Sequence, residues 1–285
     1  MPLQQPHWDS LHLDLLHIHD GPVLPWGRKV KDIPPAHYHR AWLLRDGLGR
    51  AKIGARWHTL RPGEWLIPAP AVSAQEFSED AVLLSLHFRA RWPDGSMLFD
   101  ISGGVHLSAD RHSELEAAAL TLRELCRRET PARYGDPIGP ENLTLDQHLR
   151  AGEALRHWLR ALNAALSSKG LIPTAPAAMD ERVRDGLRWL DQFPLRAKFR
   201  EPLLAERLGL SVIHLNRLFA LEIKRSPAAY LEQRRWDRAS YLLLNSSRSA
   251  KEIAYALGFC SPSYFTTWVK NHSGKTPLQF RNRTP

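Results

Sequence analysis

The stretch LLAERLGLSVIHLNRLF, residues 203–219, decides the fold of the C-terminal part of this chain. A short apolar helix ends at Gly209, because glycine is favoured just past a helix C-terminus. Ser211 then offers a side chain that caps a second helix. The apolar residues of the second helix fall at helical spacing, at Leu215, Leu218 and Phe219. The pattern predicts a helix-turn-helix unit.

About fifty residues later the same pattern returns, and it ends in IAYALGFCSPSYFTTWV, residues 253–269. Ser249 and Glu252 form a capping box, and Gly258 marks the turn. Ser261 caps the next helix, and Pro262 stands at its first position, where a missing N–H costs nothing. The closing pairs also match, with Ser-Pro at 226–227 and Thr-Pro at 276–277. Two such units in tandem are much stronger evidence for the helix-turn-helix interpretation than one unit is.

A continuous helix is predicted between the two units, over residues 227–243. Seventeen helical residues span roughly 25 Å at about 1.5 Å per residue. With the flanking helices, this length suits a separation near one turn of DNA, about 34 Å. The two recognition helices could then enter successive major grooves on one face of a duplex.

The outward residues of the two recognition helices are the candidate base contacts, because Asn and Arg can read base edges by paired hydrogen bonds. They are Ile213, Asn216 and Arg217 in the first helix, and Ser263, Thr266 and Thr267 in the second. Basic side chains nearby are the candidate contacts to the DNA backbone: Arg234, Arg238, Lys251, Lys270, Lys275 and Arg281.

The charge of the chain is divided unevenly. Its 285 residues carry a net charge of +9, and this length favours two domains. Residues 1–178 hold 20 basic and 20 acidic side chains, whereas residues 179–285 hold 19 and 10. The excess positive charge therefore belongs to the part with the two helix-turn-helix units, as expected of a polyanion-binding module.

Targeting signals are not evident in the sequence. The chain has two cysteines, Cys126 and Cys260, so no disulfide framework is expected. The first ten residues have no basic segment followed by an apolar core. The longest uncharged run, residues 253–269, contains glycine, proline and polar residues and does not suit a membrane span. We therefore expect a cytoplasmic protein with no membrane partner.

The N-terminal half is predicted to be mostly β, since residues 10–90 consist of short apolar runs separated by turn signals. Helical spacing then appears over residues 113–128 and 145–167. We expect an α+β multidomain protein, with an N-terminal β-barrel that carries helices and a C-terminal all-α domain. The predicted bounds are 1–170 for the first domain, 171–179 for a linker and 180–285 for the second.

His37-x-His39, followed by the turn at Pro62-Gly63, resembles the strand pattern of a cupin barrel. Two imidazoles on one strand face can share a metal. No glutamate follows at the expected distance and no histidine follows the turn, so we expect neither a metal nor another cofactor. The barrel is still expected to hold a small ligand. The candidate lining residues are His37, His39, Trp42, Trp57 and Trp65.

The C-terminal residues carry a family resemblance over about 180–283. The residues that carry it are Leu204-Ala205, Leu208-Gly209, Ser211, Arg217-Leu218-Phe219, Ser226-Pro227, Ile253-Ala254, Gly258-Phe259, Ser263-Tyr264-Phe265, Gly274 and Thr276-Pro277. This pattern resembles the DNA-binding domain of the AraC/XylS family. The resemblance implies a transcription regulator, an activator in our interpretation, with a cupin-like effector-binding and dimerisation domain. It also implies that the outward residues named above contact bases.

Three residues depart from the family pattern. Val269 stands where the family usually has phenylalanine, which thins the core of the second unit. Lys224 stands where a glycine usually ends the first recognition helix, which leaves open a strained turn or a continued helix at this point. Thr267 is a small side chain where a longer polar or basic residue is frequent. We therefore expect the first recognition helix, with Arg217, to carry more of the specificity than the second.

The partners expected are double-stranded promoter DNA, a small-molecule effector, RNA polymerase and a second copy of the chain. The two copies would form a homodimer through the helix predicted over residues 145–167. Aromatic residues near the pocket suit a sugar, which we favour, and equally suit an aromatic acid. The alternative is a cupin-type metalloenzyme or metal-sensing domain fused to a DNA-binding module. We favour a protein without enzyme activity.

Overall fold

The computed structural model describes residues 8–33, 38–129, 144–176, 179–246 and 248–281. The chain divides into two compact units. One contains residues 12–91 and 97–174 and is called the β unit here. The other lies mainly over residues 175–281 and is called the helical unit. The domain bounds expected from the sequence stay a prediction.

In its described residues, the β unit contains nine strands. They are β1 (His12–Pro22), β2 (Lys29–Val30), β3 (His39–Asp46), β4 (Gly49–Ile53), β5 (Arg56–Leu60), β6 (Glu64–Ile67), β7 (Val72–Phe77), β8 (Val82–Arg91) and β9 (Val105–Ser108). Its helices are α1 (Pro25–Arg28), α2 (Ser113–Glu129) and α3 (Leu145–Ser167). The side chain of Thr144 caps α3 by accepting from the Gln147 N–H.

The strands form two antiparallel sheets. One has the order β1-β8-β3-β6-β9 and the other the order β2-β7-β4-β5. In the described part of the chain no ladder joins the two sheets, so they do not close into the barrel expected from the sequence. The sheet-rich N-terminal part is confirmed, with this open architecture. The short β2, with two residues, is an edge strand that offers little length for further pairing.

The larger sheet has two different faces because side chains alternate along each strand. Trp42 and Leu44 of β3 share an apolar core with Ile53, Val72 and Phe77 of the smaller sheet. We call this the inner face. The opposite, outer face carries Phe88, whose ring lies 4.5 Å from that of the fully buried Trp158 in α3. The helix α3 therefore covers the outer face.

The helical unit contains seven helices in its described residues. They are α4 (Glu181–Gln192), α5 (Glu201–Arg207), α6 (Val212–Ile223), α7 (Pro227–Asn245), α8 (Ala250–Ala256), α9 (Pro262–Ser273) and α10 (Pro277–Arg281). The helical character of this part is confirmed. No helix in the described ranges is both long enough and apolar enough to cross a bilayer.

The long helix α7 belongs to two separate apolar cores. Near its start, Tyr230 and Leu231 pack with α4, α5 and α6. Farther along, Ala239, Leu242 and Leu243 pack with α8, α9 and α10. Each helix-turn-helix unit therefore has a core of its own, and α7 holds the two at a fixed spacing.

Candidate nucleic-acid interface and effector pocket

The first helix-turn-helix is formed by α5, a short turn and α6. Gly209 has a φ of +64°, a left-handed conformation that glycine adopts without strain. The Leu210 N–H donates to the Ala205 carbonyl at 2.9 Å, which closes the turn. The Ser211 hydroxyl then accepts from the His214 N–H at 3.2 Å. This cap satisfies one of the free donors at the start of α6.

The helix α6 has one buried face and one exposed face. Leu215, Leu218 and Phe219 are buried in the core of the first unit. Ile213 is 84% exposed, and Arg217 is also exposed. The structure therefore places these two candidate base contacts on the outer surface, where a DNA groove can reach them.

Asn216, the third candidate in α6, has a different environment from the one expected. Its side-chain amide donates to Glu201 Oε2 at 2.8 Å and to the Val212 carbonyl at 3.2 Å, and the side chain is half-buried. It ties α6 to the first residue of α5. This contact depends on where Glu201 lies in space, which the spacing of the sequence does not reveal.

The second helix-turn-helix repeats this construction with α8 and α9. Ser249 and Glu252 form the predicted capping box, and Gly258 has a φ of +81°. The Phe259 N–H donates to the Ala254 carbonyl at 3.0 Å, and the Ser261 hydroxyl accepts from the Tyr264 N–H at 3.2 Å. The caps predicted from the sequence are all present in the structure.

On α9, Ser263 and Thr267 are exposed, whereas Thr266 is half-buried. The hydroxyl of Thr266 donates to the Pro262 carbonyl at 2.9 Å, and that of Thr267 donates to the Ser263 carbonyl at 3.2 Å. These back-bonds engage both threonine donors within the helix. Tyr264 is 58% exposed beside them, and it is not among the base contacts expected from the sequence. Its position directly after the outward-facing Ser263 is the sequence signal that identifies it as a further exposed residue of this helix.

The two units are related by a nearly constant offset. The caps Ser211 and Ser261 are 50 positions apart, as are Arg217 and Thr267. The turn glycines, Gly209 and Gly258, are only 49 apart. The second turn therefore contains one additional residue.

Three of the six candidate phosphate contacts are exposed in the helical unit, namely Lys251, Lys270 and Lys275. Arg238 is half-buried.

Arg234 and Arg281 bond to carbonyls at helix ends, and their contact to phosphate stays a prediction. Arg234 donates to the carbonyls of Leu190, Asp191 and Phe193 at the end of α4. Arg281 donates to the Leu243 carbonyl at 3.1 Å and to the Arg248 carbonyl, after the end of α7. Burial lowers the pKa of the Arg281 guanidinium. Carbonyls at a helix C-terminus lack partners within the helix, and these two arginines satisfy them.

The residues predicted to line the effector pocket do not lie together. Trp42 faces the inner core, but Trp65 pairs in register with Leu43 and therefore lies on the outer face. Trp57 is 40% exposed, with the Arg50 guanidinium 4.5 Å from its ring. Strand alternation, together with the register between β3 and β6, separates the tryptophans. His37 lies outside the described residues.

His39 is fully buried on the outer face, and its ring is stacked 5.1 Å from that of Phe88. Burial lowers the pKa of His39 to about 4, against a smaller opposing effect of a hydrogen bond with the Ala90 backbone. The imidazole is therefore neutral at pH 7. Over the residues that the structure describes, no group of three or more His, Cys, Asp or Glu side chains is placed to hold a metal ion.

Comparison with known proteins agrees with this geometry. Residues 204–283, which contain both recognition helices, match the model of a helix-turn-helix domain family. This part of the chain is a helix-turn-helix domain.

Part of the chain is also similar to curated proteins. The HTH-type transcriptional regulator ArgR of Pseudomonas aeruginosa is 31% identical over 93 residues, which cover 31% of this chain and 28% of ArgR. The HTH-type transcriptional activator RhaS of Mannheimia succiniciproducens is 31% identical over 103 residues, covering 36% of this chain and 38% of RhaS. The chain thus spans about a third of the length of these curated relatives.

A crystal structure of a transcriptional regulator from Chromobacterium violaceum, described as containing an AraC-type DNA-binding domain, is also similar. It is 27% identical and covers 36% of this chain and 92% of that chain, with a TM-score of 0.32.

Proposed function

We propose that the protein is a transcription regulator, and specifically an activator, that binds promoter DNA through both helix-turn-helix units under the control of a small-molecule effector in the β unit. The observation that carries this proposal is the pair of capped units, each with an exposed face on its recognition helix, in the part of the chain that holds the excess positive charge. The relatives are named as transcription regulators, which supports it. The proposal includes no enzyme activity.

Within this proposal the first recognition helix reads bases through Ile213 and Arg217, and the second through Ser263 and Thr267. Asn216 and Thr266 support them, since their side chains are partly occupied within the protein. Lys251, Lys270 and Lys275 bind phosphates. A regulator of this kind acts in the cytoplasm and contacts RNA polymerase at the promoter.

Dimerisation is a further part of the proposal. In α3, Trp158, Leu162 and Leu166 are buried within the β unit. Leu145 and Leu149, at the start of the same helix, are 73% and 53% exposed. These two leucines give a second copy an apolar contact at that end of α3. A monomer at micromolar concentration in sedimentation experiments, with and without DNA, would contradict this part.

The experiment selects binding sites for the full chain from random DNA and measures affinity by fluorescence anisotropy. We expect a defined sequence, with an affinity that falls as salt increases because counterions leave the phosphates. Arg217→Ala should lose roughly 1–3 kcal/mol on the selected site and relax the preference at one base pair. Arg188→Ala is the matched control, because Arg188 is a half-buried arginine of α4 that pairs with Asp185 at 3.0 Å.

Two outcomes would count against this function. If selection returns no common sequence, the protein does not recognise a site. If Arg217→Ala weakens binding equally on the selected site and on a scrambled duplex, Arg217 contacts phosphate and reads no base.

A further inference from the structure

The inner face of the larger sheet carries a polar cluster that the predicted pocket did not include. Arg40 of β3 pairs in register with His87 of β8, and His87 pairs in register with His17 of β1. Tyr38 lies just before β3. We call these four residues the Arg40 cluster. Because they are neighbours across three adjacent strands, their side chains meet on the same face.

The contacts within the Arg40 cluster are close. Arg40 Nη2 donates to the Tyr38 hydroxyl at 3.1 Å, and the guanidinium carbon lies 4.9 Å from the Tyr38 ring centre. The ring of His87 lies 5.3 Å from that of Tyr38 and 5.4 Å from that of His17. One guanidinium and three flat rings thus share a small region of the sheet.

Arg40 is buried without a countercharge. Its residue is only 6% exposed, and no carboxylate in the described ranges forms an ion pair with it. The two acidic residues of β1 form other ion pairs, Asp14 with Arg89 and Asp20 with Arg45. A buried guanidinium without a carboxylate partner is unfavourable, since charge in the interior is normally paired.

Two buried polar atoms of the cluster also have no hydrogen-bond partner among the described residues. They are Arg40 Nη1 and His17 Nδ1. Such atoms are rare in native proteins and call for a specific explanation. The two atoms belong to side chains that meet the same neighbour, His87, so a single bound group could approach both.

The histidines of the cluster are neutral at pH 7. Burial lowers the pKa of His17 to about 4 and holds the pKa of His87 well below its usual value. The neighbouring Arg40 charge contributes to the low pKa of His87. The only fixed charge of the cluster is therefore the guanidinium.

We propose that the Arg40 cluster binds the carboxylate of a small organic acid, with the guanidinium on the carboxylate and the three rings against a flat apolar part of the ligand. The inference rests on the proposed function, in which the β unit binds an effector, and it names the chemical class of that effector. A carboxylate supplies both the missing countercharge and an acceptor for Nη1. A neutral sugar would leave the guanidinium without a countercharge.

The test measures the thermal unfolding of the full chain, without DNA, in sodium benzoate and in the neutral analogue benzamide at matched ionic strength. A ligand that binds only the folded state raises the melting temperature. Benzoate at 20 mM should raise it by about 3 °C or more, and benzamide should not. Arg40→Met should lose the shift. Arg50→Gln, which changes an exposed arginine of β4 paired with Glu76, should keep it.

Two further variants keep the test decisive if Arg40→Met disturbs folding. Arg40→Lys keeps the charge without the forked donors and should reduce the benzoate shift at least twofold. In the absence of ligand, Arg40→Met should melt no lower than the wild type, because it removes an unpaired buried charge. A ligand-free Arg40→Met that melts several degrees lower would show a structural role and contradict the proposal.

Other results would also overturn it. These are no benzoate shift in the wild type, an equal shift with benzamide, a shift that survives in Arg40→Met, or a shift with inorganic phosphate but none with benzoate. Because these measurements use no DNA, failure here leaves site selection by the helical unit unaffected. A failed site selection with a specific benzoate shift would instead contradict the proposed regulator and leave the carboxylate site standing.

Discussion

Gly209 and Gly258 occupy equivalent turns and both have left-handed backbones, with φ values of +64° and +81°. Their surroundings differ. A Cβ atom at Gly209 would meet nothing within 4 Å, whereas one at Gly258 would lie 2.6 Å from Arg196 Cα. The backbone of Arg196 cannot move aside as a flexible side chain can. Both positions favour glycine for its left-handed backbone, and Gly258 is also required by the close approach of Arg196.

We predict that Gly258→Ala is much more harmful than Gly209→Ala. Each alanine carries the left-handed strain of roughly 1–2 kcal/mol. At Gly258 the overlap with Arg196 adds about 1–3 kcal/mol. Helix loss on heating, followed by circular dichroism, measures the difference, with Gly209→Ala as the control. Equal melting temperatures for the two variants would show that the Arg196 segment gives way.

Lys224 shows how far the backbone conformation of a single residue can be predicted from the sequence. The family pattern expects a glycine at the end of α6, and the lysine there left open a strained turn or a continued helix. The structure shows a left-handed Lys224, with φ of +58°, whose ammonium donates to the Leu221 carbonyl at 2.8 Å. The backbone conformation at this turn decides between those alternatives, and α7 begins directly after it, with Ser226 as its cap and Pro227 as its first residue.

At the scale of elements, the helices of the helical unit were predictable because their signals are local. A serine cap, a glycine in the turn and apolar spacing of three and four residues all act within one or two turns of chain. The roles of Arg234 and Arg281 were not predictable, because each satisfies helix ends that are some 33 to 44 positions away in sequence. A basic residue on a basic domain suggests phosphate until its partners are known.

Substitutions of Arg234 in α7 and Lys270 in α9 should therefore have different effects, the first on stability and the second on DNA affinity. Arg234→Gln should destabilise the helical unit by about 2 kcal/mol or more, because it removes charged hydrogen bonds to the carbonyls of Asp191 and Phe193. Lys270→Gln should leave stability unchanged within about 0.5 kcal/mol, because Lys270 is exposed.

Urea unfolding and salt-dependent anisotropy measure these two effects. Lys270→Gln should reduce the slope of log affinity against log salt by about 1, and Arg234→Gln should leave that slope unchanged at temperatures where the variant is folded. If Arg234→Gln reduces the slope and Lys270→Gln leaves it unchanged, Arg234 contacts a DNA phosphate.

At the scale of the whole molecule, the sequence predicted a sheet-rich part followed by a helical part, and this is confirmed. The closure of the sheets was not predictable. Whether β1 to β9 form a barrel or two sheets depends on which strands pair, and short strands of four or five residues give little register information. The same limit explains why the predicted pocket residues do not lie together, since a register shift of one residue moves a tryptophan from one face of a sheet to the other.

The buried histidines should make the stability of the β unit depend on pH. The pKa of His17 and that of His39 are held at about 4 in the folded chain by burial, against 6.5 for an exposed imidazole. Below pH 6.5 the unfolded chain therefore binds protons that the folded chain does not. Stability is full above pH 6.5 and falls progressively towards pH 4, by on the order of 3 kcal/mol for each imidazole.

The buried thiol of Cys126 in α2 gives a probe specific to the β unit. In a Cys260→Ser background, we expect labelling of Cys126 by 4,4′-dithiodipyridine to occur at lower urea concentration at pH 5 than at pH 7. His39→Gln removes one titrating imidazole and should weaken this pH dependence, whereas His148→Gln, an exposed position in α3, should preserve it. If His39→Gln keeps the full dependence, the neutral His39 contributes nothing to acid sensitivity, and the burial argument for this residue is wrong.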